Sequence, residues 1–271
     1  MKKEKFIDIR RLIASKNPRL LKWIPGFVIR YLKRILHQDE INDFLDTHGD
    51  LNGQEFCTEI MKYFDIKVEV EGIERIPKEG GVTLAMNHPL GGMDAIALVH
   101  ALRGHREDIQ FIVNDLLMNL EPLKKLFVGV DKHGKNRGDV FRKLDELFGS
   151  GKMVCIFPAG LVSRKIEGKV RDLPWKKTFV SQSRKNEIPI IPVHINGRLS
   201  NFFYRLHRFR SFLGVKANVE MLYLSNELFK QRGAHMKFTV GEVITPEQLQ
   251  KEPKDLRWAE QIREDLYKLG Q

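Results

Sequence analysis

The sequence predicts an α/β domain, with a mostly parallel central sheet flanked by helices and a helical segment at the N-terminus. Two observations carry this expectation. From residue 66 onward, short apolar or alternating runs of strand length are separated by amphipathic stretches of about ten residues, the spacing of strand–helix–strand crossovers. Over residues 1–65, by contrast, the pattern is helical throughout. The chain has 271 residues, 42% of them hydrophobic and 30% charged, which is ample for a buried core and unlike a disordered polymer.

The elements follow in order. In Phe27–Leu36, Val28, Leu32, Ile35 and Leu36 form one helical stripe, and Arg30, Lys33 and Arg34 lie around the other side. Lys67–Glu71 alternates and Gly81–Met86 is apolar, so both read as strands. Asp94–Leu102 reads as helix, Ile109–Val113 as strand, Leu116–Leu126 as helix and Phe127–Val130 as strand. Asp139–Phe148 is then helix, Met153–Phe157 strand, Trp175–Ser183 helix and Ile188–Val193 strand. Ala217–Leu224 and Met236–Val240 also look like strands. Thr245-Pro246-Glu247 opens a short helix with Pro at its first position, and Leu256–Leu269 closes the chain as a helix. The expected division is a helical segment over 1–65 and an α/β domain over 66–271.

Charge is concentrated. The formal net charge is +11, and residues 1–36 hold eleven Lys/Arg against two acids, a balance of +9. Two further basic stretches occur: Arg164–Lys185, with eight bases against two acids, and Arg198–Lys216, with five bases and none. An anionic partner is implied, either nucleic acid or a membrane surface. The terminal segment favours the membrane: it is basic, bears Trp23 beside Pro25, and its stripe is that of an interfacial helix. The same stripe also fits an ordinary helix packed on the domain. No nucleic-acid recognition motif is present, so no nucleic-acid partner is expected. The longest stretch without Asp, Glu, Lys or Arg is Gly80–Met93, fourteen residues, too short for a membrane span, and no secretory leader is expected. Two cysteines, Cys57 and Cys155, exclude a disulfide framework and read as packed thiols.

The chemistry centres on Asn87-His88-Pro89-Leu90-Gly91-Gly92-Met93-Asp94, between a strand and a helix. Ligands of open α/β sheets bind beyond the carboxyl ends of the strands, where this turn falls. On a regular helix, six positions would turn two side chains about 240° apart. His88 therefore belongs on the loop, with Gly91-Gly92 bending the chain and Asp94 near the helix start. An Asp that fixes a His tautomer leaves the other ring nitrogen to take a proton from a hydroxyl. A loop His capping local backbone fits the same residues. There is no Gly-x-Ser-x-Gly elbow and no convincing Cys nucleophile, so a base here would act on a hydroxyl of the substrate itself, the logic of direct acyl transfer.

Asn-His-x-x-x-x-Asp after a strand resembles the first motif of the glycerolipid and lysophospholipid acyltransferases, the 1-acylglycerol-3-phosphate acyltransferase family. Three more blocks appear in that family's order. Phe127-Val-Gly-Val-Asp131-Lys132, with Arg137 after it, is similar to the second. Phe157-Pro158-Ala159-Gly160 is similar to the third, usually Phe-Pro-Glu-Gly, and Ile188-Pro-Ile-Ile-Pro-Val193 to the fourth. Together they cover roughly 81–197. The resemblance implies catalysis by His88 and Asp94, an acyl-CoA or acyl carrier protein donor, a lyso-lipid acceptor and no other cofactor. It implies substrate contacts at Asn87, Asp131, Lys132, Arg137, Phe157, Pro158 and Gly160. Two departures stand out: five residues separate His88 from Asp94 where four are usual, and Ala159 replaces Glu. Ser163, Arg164 and Lys165 follow at once and are candidates for gripping an anionic head group. The variant resembles a bacterial branch linked to ornithine and glycine lipids, so the acceptor is a lysophosphatidate or a lyso-aminolipid. An enzyme peripheral to the cytoplasmic face of the membrane is expected; a non-catalytic lipid-binding protein is the alternative.

One decoy remains. Gly129–Asn136 fits seven of the eight places of a phosphate-binding Gly-x4-Gly-Lys-[Ser/Thr] loop. Its eighth residue is Asn, a poorer magnesium ligand, and Asp131 would put a carboxylate inside the anion nest. The nine His and two Cys show no metal-ligand spacing, so no metal is implied.

Overall fold

The computed structural model describes residues 7–113, 118, 120–130 and 137–271. Contacts divide the chain into two units: the described part of Met1–Leu51 with Leu199–Arg232, and Asn52–Arg198 with Gly233–Gln271.

The second unit holds the sheet. Its strands are β1 (Lys67–Glu71), β2 (Val82–Met86), β3 (Ile109–Val113), β4 (Phe127–Gly129), β5 (Met153–Ile156), β8 (Ile190–Ile195) and β9 (His235–Val240). They lie in the order β1-β9-β8-β2-β5-β3-β4, and every neighbouring pair is parallel except β8–β9. The α/β class with a mostly parallel sheet is thus as the sequence predicts. β2 is buried along its whole length, because helices cover both faces of a parallel sheet; this explains the charge-free run around it. Helices α8 (Thr178–Lys185) and α11 (Asp255–Lys268) pack Phe179, Val180, Ile262 and Leu266 against Ala85, Ile190 and Trp175. Helix α7 (Arg137–Phe148) adds Leu144, Leu147 and Phe148 over Val154 and Ile188.

Four elements differ from expectation. Helix α5 (Gly53–Tyr63) falls in the sheet unit, not in a segment ending at 65; it buries Phe56, Cys57, Ile60 and Met61 and packs on α6 (Gly92–Ala101). Ala217–Leu224 is not a strand. Val219–Tyr223 forms a 3-10 helix leading into α10 (Leu224–Phe229), because Glu220 is fully buried and must meet Arg210. Of the helix expected over Leu116–Leu126, Glu121–Leu126 is a 3-10 helix with Pro122 at its start, and most of the remainder lies outside the described residues. Finally, β6 (Arg164–Ile166) and β7 (Lys169–Arg171) form a hairpin that the sequence reading missed. Its turn is Glu167-Gly168, both at positive φ (49° and 83°), the geometry of a two-residue hairpin turn.

The first unit is helical: α1 (Ile9–Lys16), α2 (Pro18–Trp23), α3 (Gly26–Ile35), α4 (Gln38–His48), α9 (Asn201–Phe212) and α10. The stripe on α3 faces inward: Ile29 and Ile35 are buried, and Val28, Leu32 and Leu36 are half-buried. The apolar side chains left exposed are others, with Trp23 84% and Phe27 64% exposed. Of the two roles that the stripe allows, the structure shows the packed one; periodicity locates a stripe without saying what covers it. Among the described residues no helix is long and apolar enough to cross a membrane.

Candidate active site

β2 ends at Met86, and its neighbour β5 ends at Ile156 in register with Ala85. The two chains therefore leave the sheet side by side at its carboxyl edge, carrying His88 on one and Phe157 on the other. The His88 ring stacks on Phe157 with centroids 4.0 Å apart and planes 22° apart. Its Nδ1 lies 2.9 Å from Asp94 Oδ2. The same carboxylate oxygen accepts the backbone N–H of Leu90 at 3.0 Å. Gly91, at φ 74° and ψ −136°, makes the bend that only glycine adopts readily, and α6 starts one residue later. Asp94 thereby sits in the first turn of α6, near the positive end of the helix. The longer His-to-Asp spacing is absorbed in this loop.

Asp94 is fully buried, and His88 keeps 19% of its side chain exposed. Burial pushes the Asp94 carboxyl up, opposed by the hydrogen bond and charge of His88 and by the Leu90 N–H. With Nδ1 directed at Asp94, the proton of neutral imidazole sits on that nitrogen and Nε2 carries the lone pair.

The backbone of His88 is clamped as well. Its N–H donates to Asp172 Oδ1 at 3.2 Å, and its carbonyl accepts the Ser163 N–H at 2.8 Å. Asp172 was not among the residues singled out in the sequence. It is buried, accepts the Ser163 hydroxyl at 2.5 Å and Trp175 Nε1–H at 2.9 Å, and its own N–H donates to Tyr267 Oη at 2.7 Å. Burial pushes its carboxyl up, opposed by those hydrogen bonds. The available signal was weak: Asp172 is one of two acids in the basic stretch 164–185, just after the hairpin.

The remaining sequence candidates separate by placement. Phe157 lies against His88, as described. Asn87 is buried, and its side-chain amide is engaged at both ends by Ile195, accepting its N–H at 2.7 Å and donating to its carbonyl at 2.8 Å. It ties the chain just after β2 to the end of β8. Pro158 is buried, and the Gly160 N–H closes a turn on the Phe157 carbonyl at 2.9 Å with Gly160 at φ 68°. The grip expected of Ser163 and Arg164 does not fit their positions: both are 1% exposed, Ser163 bonds Asp172, and Arg164 Nη1 donates to the Val162 carbonyl at 2.6 Å. Their place at the start of the hairpin turns them inward. Lys165 is exposed. Asp131 and Lys132 lie outside the described residues, as do the Arg137 side chain and most of the Gly129–Asn136 loop. Both cysteines are buried and outside any disulfide, and burial raises both thiols, that of Cys57 to about 12, so neither supplies a thiolate.

Residues 11–270 match the family model described as acyltransferase. The chain belongs to the acyltransferase family. Along 264 residues this acyltransferase is 44% identical to the lyso-glycine lipid O-acyltransferase of Bacteroides thetaiotaomicron, over 97% of each chain. It is 39% identical to the enzyme of the same name from Phocaeicola vulgatus, over 97% of this chain and 95% of that one. Its fold is shared with the crystal structure of the 1-acyl-sn-glycerophosphate acyltransferase of Thermotoga maritima, at a TM-score of 0.50 and 18% identity, covering 97% and 98% of the two chains.

Proposed function

We propose that this acyltransferase moves a fatty acyl group from an acyl thioester to the hydroxyl of a lyso-glycine lipid, with His88 as general base. One observation carries the reading: Asp94 holds His88 Nδ1 at 2.9 Å and leaves Nε2 for the substrate, while neither cysteine is fit to be a nucleophile. Nε2 takes the acceptor's proton as its oxygen attacks the thioester carbonyl. Asp94 offsets the charge of the resulting imidazolium. Collapse of the tetrahedral intermediate breaks the C–S bond, and the departing thiolate takes the proton from Nε2, giving ester and thiol. The oxyanion falls to backbone N–H groups at the start of α6, where Gly92 is exposed; the Gly160 N–H is engaged elsewhere.

Full-length relatives named for lyso-glycine lipid favour that acceptor over lysophosphatidate. The donor is acyl-CoA or acyl carrier protein. The basic segment 1–36, with Trp23 and Phe27 exposed, holds the enzyme on the cytoplasmic, anionic surface of the membrane as a peripheral protein. The purified protein, given lyso-glycine lipid or lysophosphatidate with each donor, is expected to yield acylated glycine lipid by mass spectrometry. Absence of product with either donor, or preferential turnover of lysophosphatidate, overturns this reading.

A further inference from the structure

Helix α9 packs Phe203 and Tyr204 inward, and polar groups fix its rotation. Ser200 caps it by accepting the Phe203 N–H, and the Ser200 hydroxyl donates to the fully buried Glu227 at 2.7 Å. Arg210 Nε donates to the fully buried Glu220 at 2.8 Å. These buried carboxylates lock the rotation of the helix, because turning them outward would strand their partners. The opposite side is apolar: Phe202, Phe209, Phe212 and Leu213, at i, i+7, i+10 and i+11, share one stripe and are all exposed, Phe209 by 61% and Phe212 by 86%. Arg205 and Arg208 flank it, both exposed, and the whole run Arg198–Lys216 contains no acid.

The stripe does not stand alone within its unit. The Phe202 ring packs edge-on against Tyr223 at 4.9 Å, and the Tyr223 hydroxyl lies 2.7 Å from that of Tyr31 on α3. The exposed aromatic side of α3, with Phe27 and Tyr31, is thus joined to α9 through Tyr223. Aromatic side chains ringed by arginines and free of acids match the boundary of an anionic bilayer, where rings enter the acyl region and guanidinium groups meet phosphates.

We propose that the outward face of α9 is a second membrane-binding element, which docks the enzyme on anionic lipid together with the N-terminal helices. It is separate from the chemistry at His88 and does not depend on the identity of the acceptor.

The test is co-sedimentation of the full chain with phosphatidylcholine vesicles, with and without phosphatidylglycerol. The double variant Phe209→Ser/Phe212→Ser is expected to lower vesicle partitioning by about tenfold or more. Arg205→Glu/Arg208→Glu should abolish the preference for phosphatidylglycerol, and high salt should reproduce part of that loss. Phe141→Ser, which removes another exposed apolar side chain, on α7, should bind as wild type. Acyl transfer to a detergent-dispersed acceptor should survive in the serine variant while transfer on vesicles falls, which separates failure of this face from failure of the catalytic reading. Wild-type vesicle binding by both α9 variants, with unchanged melting curves, overturns the proposal. So does loss of binding to acyl carrier protein in the serine variant while vesicle binding is retained, since the face would then be a protein-docking site.

Discussion

Asp172 touches His88 only through the backbone, so its contribution to catalysis must be positional, and replacing it should reveal that. In Asp172→Asn the side chain keeps its shape but can accept on one side only. Its amide nitrogen must face either Trp175 Nε1–H or the pair formed by the Ser163 hydroxyl and the His88 N–H. Either choice sets donor against donor in a buried place, at about 1–3 kcal/mol. Taking about 2 kcal/mol, the melting temperature should fall by roughly 4–8 °C, a loss that a domain of ordinary stability survives. The second consequence is kinetic. When the clamp on the His88 backbone relaxes, Nε2 shifts relative to the acceptor hydroxyl, and misplacement on the order of 1 Å costs about 100-fold. The expected signature is therefore a fall in kcat of roughly 10- to 100-fold with KM little changed, in a protein that is folded at the assay temperature. Asp172→Ala, which removes all three acceptor contacts, should be worse on both counts. Steady-state kinetics beside a melting curve decides the matter: wild-type kcat in a folded Asp172→Asn protein refutes the positioning role, however much stability is lost.

His88→Ala should lower turnover by at least ~100-fold with an intact fold, since its ring is partly exposed on a loop; wild-type-like activity of the folded variant would end the general-base mechanism. Asp94→Asn, which can present an N–H to Nδ1 and force the proton onto Nε2, should cost up to about 10⁴-fold in kcat, and wild-type kcat in the folded variant would remove Asp94 from the mechanism. Burial raises the Asp172 carboxyl, so the folded state retains a proton that the unfolded chain releases at its ordinary pKa of about 3.9, and this contribution to stability is lost as pH rises above that value. The melting-temperature gap between wild type and Asp172→Asn should accordingly narrow with rising pH, and a widening gap would contradict the sign. Trp23→Ser/Phe27→Ser, two exposed side chains, should weaken binding to anionic vesicles without lowering the melting temperature, whereas unchanged co-sedimentation would remove the N-terminal segment from the membrane contact.

What the sequence disclosed and what it hid divide along a physical line. The strands around Val82–Met86, Met153–Ile156 and Ile190–Ile195 announce themselves because a strand covered on both faces must be apolar throughout. The His88–Asp94 pair is legible because both residues and the glycine bend fall within seven positions, so local chain geometry settles their meeting. Asp172 meets His88 across 84 positions through a hairpin, and only the pairing of β2 with β5 brings their segments together. Ser163 and Arg164 show the converse difficulty, since a cation in a basic stretch reads as surface until a hairpin turns it inward. The return of residues 199–232 to the helical unit was equally hidden, because it depends on contacts between residues far apart in the chain, Tyr31 with Tyr223 and His37 with Asn226 and Phe229.

The third block makes the same point about substitution. Where the family resemblance leads one to expect a carboxylate, Ala159 is buried beside Ala85, Trp175 and Phe179. A glutamate at that position would need either an ionic partner or a different path for the turn Phe157–Gly160, since an unpaired buried carboxylate is too costly to hold. Meanwhile the buried carboxylate that does reach this region, Asp172, is engaged by three donors from three segments and directs none of its hydrogen bonds outward. The negative charge near His88 is therefore arranged for rigidity, not for gripping a cationic or hydroxylated head group. Recognition of the acceptor must then come from groups that face solvent at the carboxyl edge of the sheet. Of Ser163, Arg164 and Lys165 only Lys165 is exposed, so its replacement on the β6–β7 hairpin is the mutation that tests whether this stretch takes part in acceptor choice.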